Sequence, residues 1–337
     1  MNSELFDHQR GASNKGYKKI DMGTLVLSTQ NLHLGNANVN LRFEHGMVSP
    51  AYKTYHIHDC SIGLIAEWVK SEKAKRFFYD ATTVGASVCR RNVEWDTLYD
   101  QPLYLPSAEE QERLAAFLSA LSSRIKKQTE LVEHLKKYKR GVSNTFFNDK
   151  VVAECSAVLP FGQAVEINPK TKSLPTEFIY IDLESVESGK LLQENIISRD
   201  NAPSRAQRVL TKGDVLFQMV RPYQKNNFYF ESELSLPAVA STGYAQIRCV
   251  DNDPLFVFEQ ISSDYFANEA MLRSTGTGYP AINADSLAEI PFIKHPIEEQ
   301  RKIGKFLYLL SQRIIQEESK LEALLKVKGA MLQSLFI

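Results

Sequence analysis

The chain has 337 residues, 43% hydrophobic and 10% aromatic, which is enough to bury two cores and excludes disorder over most of its length. Four scattered cysteines without a CxxC pair exclude a zinc knuckle or a disulfide framework, and no apolar run approaches the ~20 residues that a membrane span needs. Forty basic residues balance forty acidic ones, but unevenly. Cys60, Cys89, Cys155 and Cys249 read as reduced thiols. With no signal-peptide pattern at the start, a soluble cytoplasmic protein is expected.

Taken in chain order, residues 1–105 form a first module. Met22-Gly23-Thr24-Leu25-Val26-Leu27 reads as a turn entering a buried strand, and an Asn-rich loop follows from Gln30 to Arg42. Val48-Ser49-Pro50-Ala51-Tyr52 leads into alternating strand pattern at Thr54–Ile57, and one helix is predicted over about 61–79. A long helix occupies 106–150. Ser107 is its cap, and Glu109 and Glu110 sit in the first turn where the helix dipole favours acids.

Residues 151–293 form a second module with the same order of signals. Lys212-Gly213-Asp214-Val215-Leu216-Phe217 answers the first turn and strand, and Ala240-Ser241-Thr242-Gly243-Tyr244 with Ala245–Arg248 answers the next. A helix over about 254–273 and a glycine-containing loop from Thr275 to Asn283 complete the match. Residues 151–190, including a strand at Phe178–Leu183, have no counterpart in the first module, which is therefore read as N-terminally shortened. A second long helix fills 294–337.

The long helices repeat each other. Residues 102–147 and 291–336 align without a gap at an offset of 189, with 15 identities in 46 positions. Leu114, Leu118, Leu121, Ile125, Val132, Leu135, Val142 and Phe146 recur at steps of three and four, as do Ile303, Leu307, Leu310, Ile314, Leu321, Leu324, Met331 and Leu335. That spacing is a heptad seam. About 40 residues at 1.5 Å each make a rod of roughly 60 Å. The seam is broken by Gln128 and Lys139 and again by Glu317 and Lys328. Parallel pairing would set Lys139 against Lys328, whereas an antiparallel pair can set Lys139 against Glu317 and Gln128 against Lys328. The fold class expected is thus α/β (α+β), two similar mixed modules separated by a long antiparallel two-helix coiled coil with pseudo-twofold symmetry.

The second module carries 11 basic and 18 acidic residues, yet residues 199–225 hold six basic residues against Asp200 and Asp214. A basic patch on an acidic body is a footprint for a polyanion. Catalytic signatures are missing. Asn168-Pro169-Lys170 lacks the second proline of a methyltransferase loop, no phosphate-binding glycine loop occurs, and Glu318-Ser319-Lys320 lies inside the coiled coil. His56 and His58 share a strand face without a third ligand nearby, so no metal site is expected.

The duplicated proline, Glu-Glu-Gln, Phe-Leu, Arg-Ile and heptad helix ending in phenylalanine, with the Lys212–Phe217 strand and the Thr275–Asn283 loop, resembles the specificity subunit of type I restriction-modification systems. That resemblance implies a non-catalytic subunit with two target-recognition domains, each reading half of a bipartite site on double-stranded DNA. It further implies two methyltransferase subunits docked on the helices and motor-nuclease subunits for cleavage. Those partners would use S-adenosylmethionine, ATP and Mg; the chain itself is expected to need no cofactor.

Phosphate contacts position such a protein and base-edge contacts specify its target, so loop Arg, Lys, Gln and Asn residues are the candidates for DNA. In the second module these are Arg205, Gln207, Arg208, Gln218, Arg221, Tyr223 and Lys225, with Thr277 and Tyr279 on the glycine loop. In the first they are Gln30, His33, Asn36, Asn38 and Arg42, with Arg90 and Arg91 on the later loop. The alternative reading is a truncated scaffold that binds methyltransferase subunits but reads one half-site or none. A hydrolase with its site between modules has only the histidine pair to support it.

Overall fold

A computed structural model of the chain describes residues 16–335 apart from 88, 89, 155, 156, 172, 232 and 233. Cys89, Cys155, Phe336 and the side chain of Arg90 lie outside what is described. The residues form two compact units, one running up to Glu130 and resuming at Glu318, the other spanning Leu131–Glu317.

In the first unit the order is β1 (Lys18–Asp21), β2 (Leu25–Ser28), β3 (Ala37–Val39), β4 (His45–Val48), β5 (Tyr52–Tyr55), α1 (Ile62–Trp68), α2 (Glu72–Asp80), β6 (Thr82–Ser87), β7 (Arg90–Val93), α3 (Trp95–Asp100) and the 39-residue α4 (Ala108–Phe146), which belongs to the second unit from Leu131 onward. β1 pairs with β4, β2 lies between β3 and β5, and β6 pairs with β7, all antiparallel.

The second unit continues with α5 (Asp149–Glu154), β8 (Val158–Pro160), α6 (Phe161–Ala164), β9 (Glu166–Ile167), β10 (Glu177–Ile181), β11 (Val186–Glu187), β12 (Lys190–Leu191) and β13 (Ile196–Ser198). Then come β14 (Ala206–Val209), β15 (Val215–Gln218), β16 (Phe228–Tyr229), β17 (Ala238–Ser241), β18 (Tyr244–Arg248), α7 (Pro254–Ile261), α8 (Asp264–Leu272), α9 (Ala284–Ala288), β19 (Pro291–Ile293) and α10 (Ile297–Leu335), whose residues from Glu318 onward belong to the first unit. Its two main sheets run β13-β10-β17-β14 and β16-β15-β18-β9. Removing β13, β10 and β9 leaves the order that the described residues of the first unit show, β1-β4 and β3-β2-β5.

The local causes repeat as well. Gly23 and Gly213 sit at φ 84° and 93°, a left-handed conformation open to glycine, just before β2 and β15. The turn is closed in both by a side chain three residues along. Asp21 N–H donates to Thr24 Oγ1 at 3.1 Å, and Thr211 N–H donates to Asp214 Oδ2 at 2.8 Å. Where one helix was predicted over 61–79 and another over 254–273, each splits in two. Ser71 and Ser263 accept from the N–H of Ala74 and Phe266, so a new helix starts at each serine.

α4 begins as predicted, with Ser107 and Glu110 exchanging side-chain and backbone hydrogen bonds in a capping box. All sixteen apolar seam positions are buried or half-buried. In the first unit Leu332 and Leu335 share an apolar cluster with Leu114, Ala115 and Leu118, while Lys328 Nζ reaches Ser122 Oγ at 2.7 Å. Numbers fall on α4 as they rise on α10, so the segments are antiparallel. In the second unit Ile303 and Leu307 share a cluster with Val142, Phe146 and Phe147.

The polar seam residues also reach partners outside the seam. Lys139 Nζ lies 2.8 Å from Glu259 on α7, and Lys328 Nζ lies 2.6 Å from Glu67 on α1. Glu317 pairs with Arg313 one turn earlier at 2.8 Å. The reason is burial: Glu259 is 1% and Glu67 9% exposed, and a buried carboxylate needs a cation more than a seam amide does. Ser122 and Ser311 complete the match, each donating at 3.0 Å to the same glutamates. Gln111 and Gln300 likewise accept from the N–H of Ser61 and Asp253, the cap residues of α1 and α7.

Candidate nucleic-acid interface

In the second unit β15 ends at Gln218 and the chain turns through Arg221, a short 3-10 helix at Pro222–Gln224 and Lys225. Arg221 and Lys225 both hold φ 54°, a left-handed conformation that non-glycine residues adopt at some cost. The tertiary bonds that impose it are visible. Arg221 N–H donates to Pro280 O at 2.7 Å, and Val220 bridges Ala281, which ties this turn to the Thr275–Asn283 loop. The Arg221 guanidinium lies 4.2 Å from the centroid of Tyr279, a ring 71% exposed. A guanidinium held flat on a ring keeps its N–H edge for a further acceptor. No hydrogen bond from that side chain occurs among the described residues.

The first unit builds the same corner. Asn31 (φ 56°) and Gly35 (φ 87°) bracket a 3-10 helix at Leu32–Leu34, and Gln30 bridges Asn92 on β7 as Val220 bridges Ala281. An arginine again stacks on a tyrosine, Arg91 at 4.1 Å from the centroid of Tyr79. Here the guanidinium is tethered, donating to Thr82 Oγ1 and Thr82 O at 2.7 Å each. His33 packs edge-on to Tyr79, and its imidazole pKa is lowered by burial and then by the Arg91 charge. Both effects favour the neutral imidazole.

The other predicted residues divide by what already holds them. Gln218 is 2% exposed and bonds Val220 O, Gln224 Oε1 and Asn226 N–H, so it shapes the turn from inside and is not presented to a groove. Lys225 is held by Asp264, which also takes Arg140 at 2.6 Å. Burial alone would push the Asp264 carboxyl up, but Lys225 and then Arg140 hold it below the usual carboxylate range. Arg208 is half-buried, and burial lowers its guanidinium pKa.

Arg205, Gln207, Tyr223 and Thr277 are exposed in the second unit, as are Gln30, Asn36, Asn38 and Arg42 in the first. Asn38 is partly occupied with its neighbour, its Oδ1 accepting from Val39 N–H, and Arg42 lies 5.1 Å over Phe43. The stacking tyrosines were the feature residue-type reasoning missed on Tyr79. A tyrosine on the exposed face of a short helix gives no signal until the loop that lands on it is known.

His56 and His58 have ring centroids 6.3 Å apart, and the described residues contain no cluster of three metal-ligating side chains. Burial pushes the Cys249 thiol up to about 12, which leaves it an inert thiol. No described helix is long and apolar enough to cross a membrane.

No family model matches the chain. The specificity subunit of the type I restriction enzyme MjaVIII of Methanocaldococcus jannaschii is 23% identical over 289 residues, 79% of this chain and 68% of that protein. The crystal structure of a type I restriction-modification S subunit from M. genitalium superposes with a TM-score of 0.65 at 16% identity, over 95% of this chain and 84% of that one. A chain from a structure that addresses complex assembly and conformational transition of the type I system gives 0.52 at 17% identity, over 96% and 84%. The chain is thus related in sequence to the type I restriction-modification specificity subunits and has their fold.

Proposed function

We propose that the chain is the sequence-reading subunit of a type I restriction-modification complex, with each module reading one part of a bipartite site on double-stranded DNA. The observation that carries this reading is a corner built in each unit: a left-handed loop bridged to a later segment of the chain, with an arginine laid on a tyrosine nearby. Arg221 and Tyr279 supply a base-edge or phosphate donor with a stacking face, and Arg205, Gln207 and Tyr223 extend the same polar surface. The chain performs no chemistry. Methyltransferase and motor-nuclease partners, using S-adenosylmethionine, ATP and Mg, carry out methylation and cleavage.

The test is footprinting of the chain with its methyltransferase subunits on the site found by sequencing the host methylome. Protection of two separated half-sites is the expected result. Protection of one means the shortened first module serves only as a scaffold, and protection of neither removes the reading. Arg221→Ala weakens binding through the second half-site roughly ten- to hundredfold, the ~1–3 kcal/mol of a bidentate contact. Arg221→Lys recovers little of it because the planar stack on Tyr279 is lost. Unchanged affinity in both variants removes Arg221 from the interface.

A further inference from the structure

In the second module β10 fills a space that no described strand fills in the first. β10 lies parallel to β17, with Ile179 opposite Ala238 and Ile181 opposite Ala240. Ile179 and Ile181 are buried against Leu210, Leu216 and Tyr244. The registers give the counterparts in the first module. Gly46, Met47 and Val48 on β4 stand where Ala238, Val239 and Ala240 stand on β17, and Ile20, Val26 and Tyr52 stand where Leu210, Leu216 and Tyr244 do.

Among the described residues no strand pairs with the second edge of β4. The apolar cluster at this point is only Ile20, Val26 and Val48. Beside it lies a groove of about 530 Å³ lined by Val26, Val39, Met47, Val48 and Tyr52. Tyr52 is 38% exposed where Tyr244 is 0%. The backbone is also ready for a partner. In the second module Ile179 N–H donates to Pro237 O at 2.9 Å, while Ala238 O faces β14 and accepts from Leu210 N–H at 2.9 Å. His45 occupies the position of Pro237, so its carbonyl faces the open edge.

We propose that this groove binds an extended apolar peptide strand from another polypeptide, which pairs in parallel with β4 as β10 pairs with β17. Strand addition to an exposed edge is an established recognition mode, with backbone bonds giving affinity and alternate side chains giving specificity. The occupant's chemistry follows from β10 itself: β-branched residues at alternate positions to fill the cavity, and acids at its flanks like Glu177, Asp182 and Glu184. Arg42 on the groove and Lys18 and Lys19 on β1 supply the matching charge. The inference does not depend on the DNA reading.

The probe is a fluorescent peptide carrying residues 174–187, titrated into the full chain without DNA and followed by anisotropy. Saturable binding is expected, with new amide-exchange protection over His45–Val48. A peptide N-methylated at the Ile179 position loses the donor to His45 O and binds at least tenfold more weakly. A peptide with Ile179→Asp and Ile181→Asp does not bind. Because these controls change only the peptide, the chain's folding is unaffected. No saturable binding, equal affinity of the N-methylated peptide, or protection that appears elsewhere overturns the proposal.

Discussion

Lys139→Met lowers the stability of the second unit by about 3 kcal/mol, read as a fall in the urea midpoint of the full chain. Glu259 is 1% exposed, and its Oε2 faces Lys139 Nζ at 2.8 Å while Oε1 accepts from Ser311. Removing the ammonium leaves a buried carboxylate with one neutral donor, and breaking such a pair from one side costs about 3–5 kcal/mol in general. The low end applies because the Lys139 side chain is 23% exposed, so water partly replaces the lost cation. A double variant, Lys139→Met with Glu259→Gln, recovers most of the loss, since a neutral amide keeps the serine contact and needs no counterion. A single variant that unfolds at the wild-type midpoint contradicts the assignment. Lys328→Met acts the same way in the first unit through Glu67 and Ser122.

That pair also shows what was legible in the sequence. The heptad positions were readable because burial of a helix stripe depends only on spacing along one chain, and every apolar seam residue is withdrawn from solvent. The partners of Lys139 and Lys328 were not, because Glu259 and Glu67 come from α7 and α1, whose approach to the long helices is set by tertiary packing. Repetition let the strands around Leu25 and Val215 be matched, and β10 has no counterpart among the described residues of the first module. It could not show that Ser71 and Ser263 divide a predicted helix, since a serine inside a helix and one at its cap look alike until the chain bends.

The candidate interface was legible as a region and less so as residues. Arg221 lies where a strand gives way to a proline turn, as expected. Gln218 and Lys225, judged by residue type alone, turn out to be engaged in holding the turn's own shape. Loop polarity marks where recognition occurs, while the internal bonds of the loop decide which side chains remain for a ligand.

Gly304→Ala costs about 2–3 kcal/mol, whereas Gly329→Ala in the same helix gains up to about 1 kcal/mol. Both replace a helical glycine and both gain helix propensity, so the difference isolates packing. A Cβ at 304 would lie 2.4 Å from Phe256 N and 2.8 Å from its Cα, and backbone cannot swing aside as a flexible side chain can. A Cβ at 329 meets nothing within 4 Å. The first unit solves the same close crossing the other way round. Position 115 on α4 matches position 304 and is alanine, and the glycine is Gly63 on α1, whose added Cβ would meet Ala115 Cβ at 3.2 Å. Gly63→Ala therefore costs less, about 1 kcal/mol, because two methyl groups can separate by a few tenths of an ångström. Urea midpoints that fall for Gly304→Ala, fall slightly for Gly63→Ala and rise for Gly329→Ala are expected. A stabilising Gly304→Ala would mean that α10 does not cross α7 at this distance, and with it the close seat of the long helix on the second module would be lost.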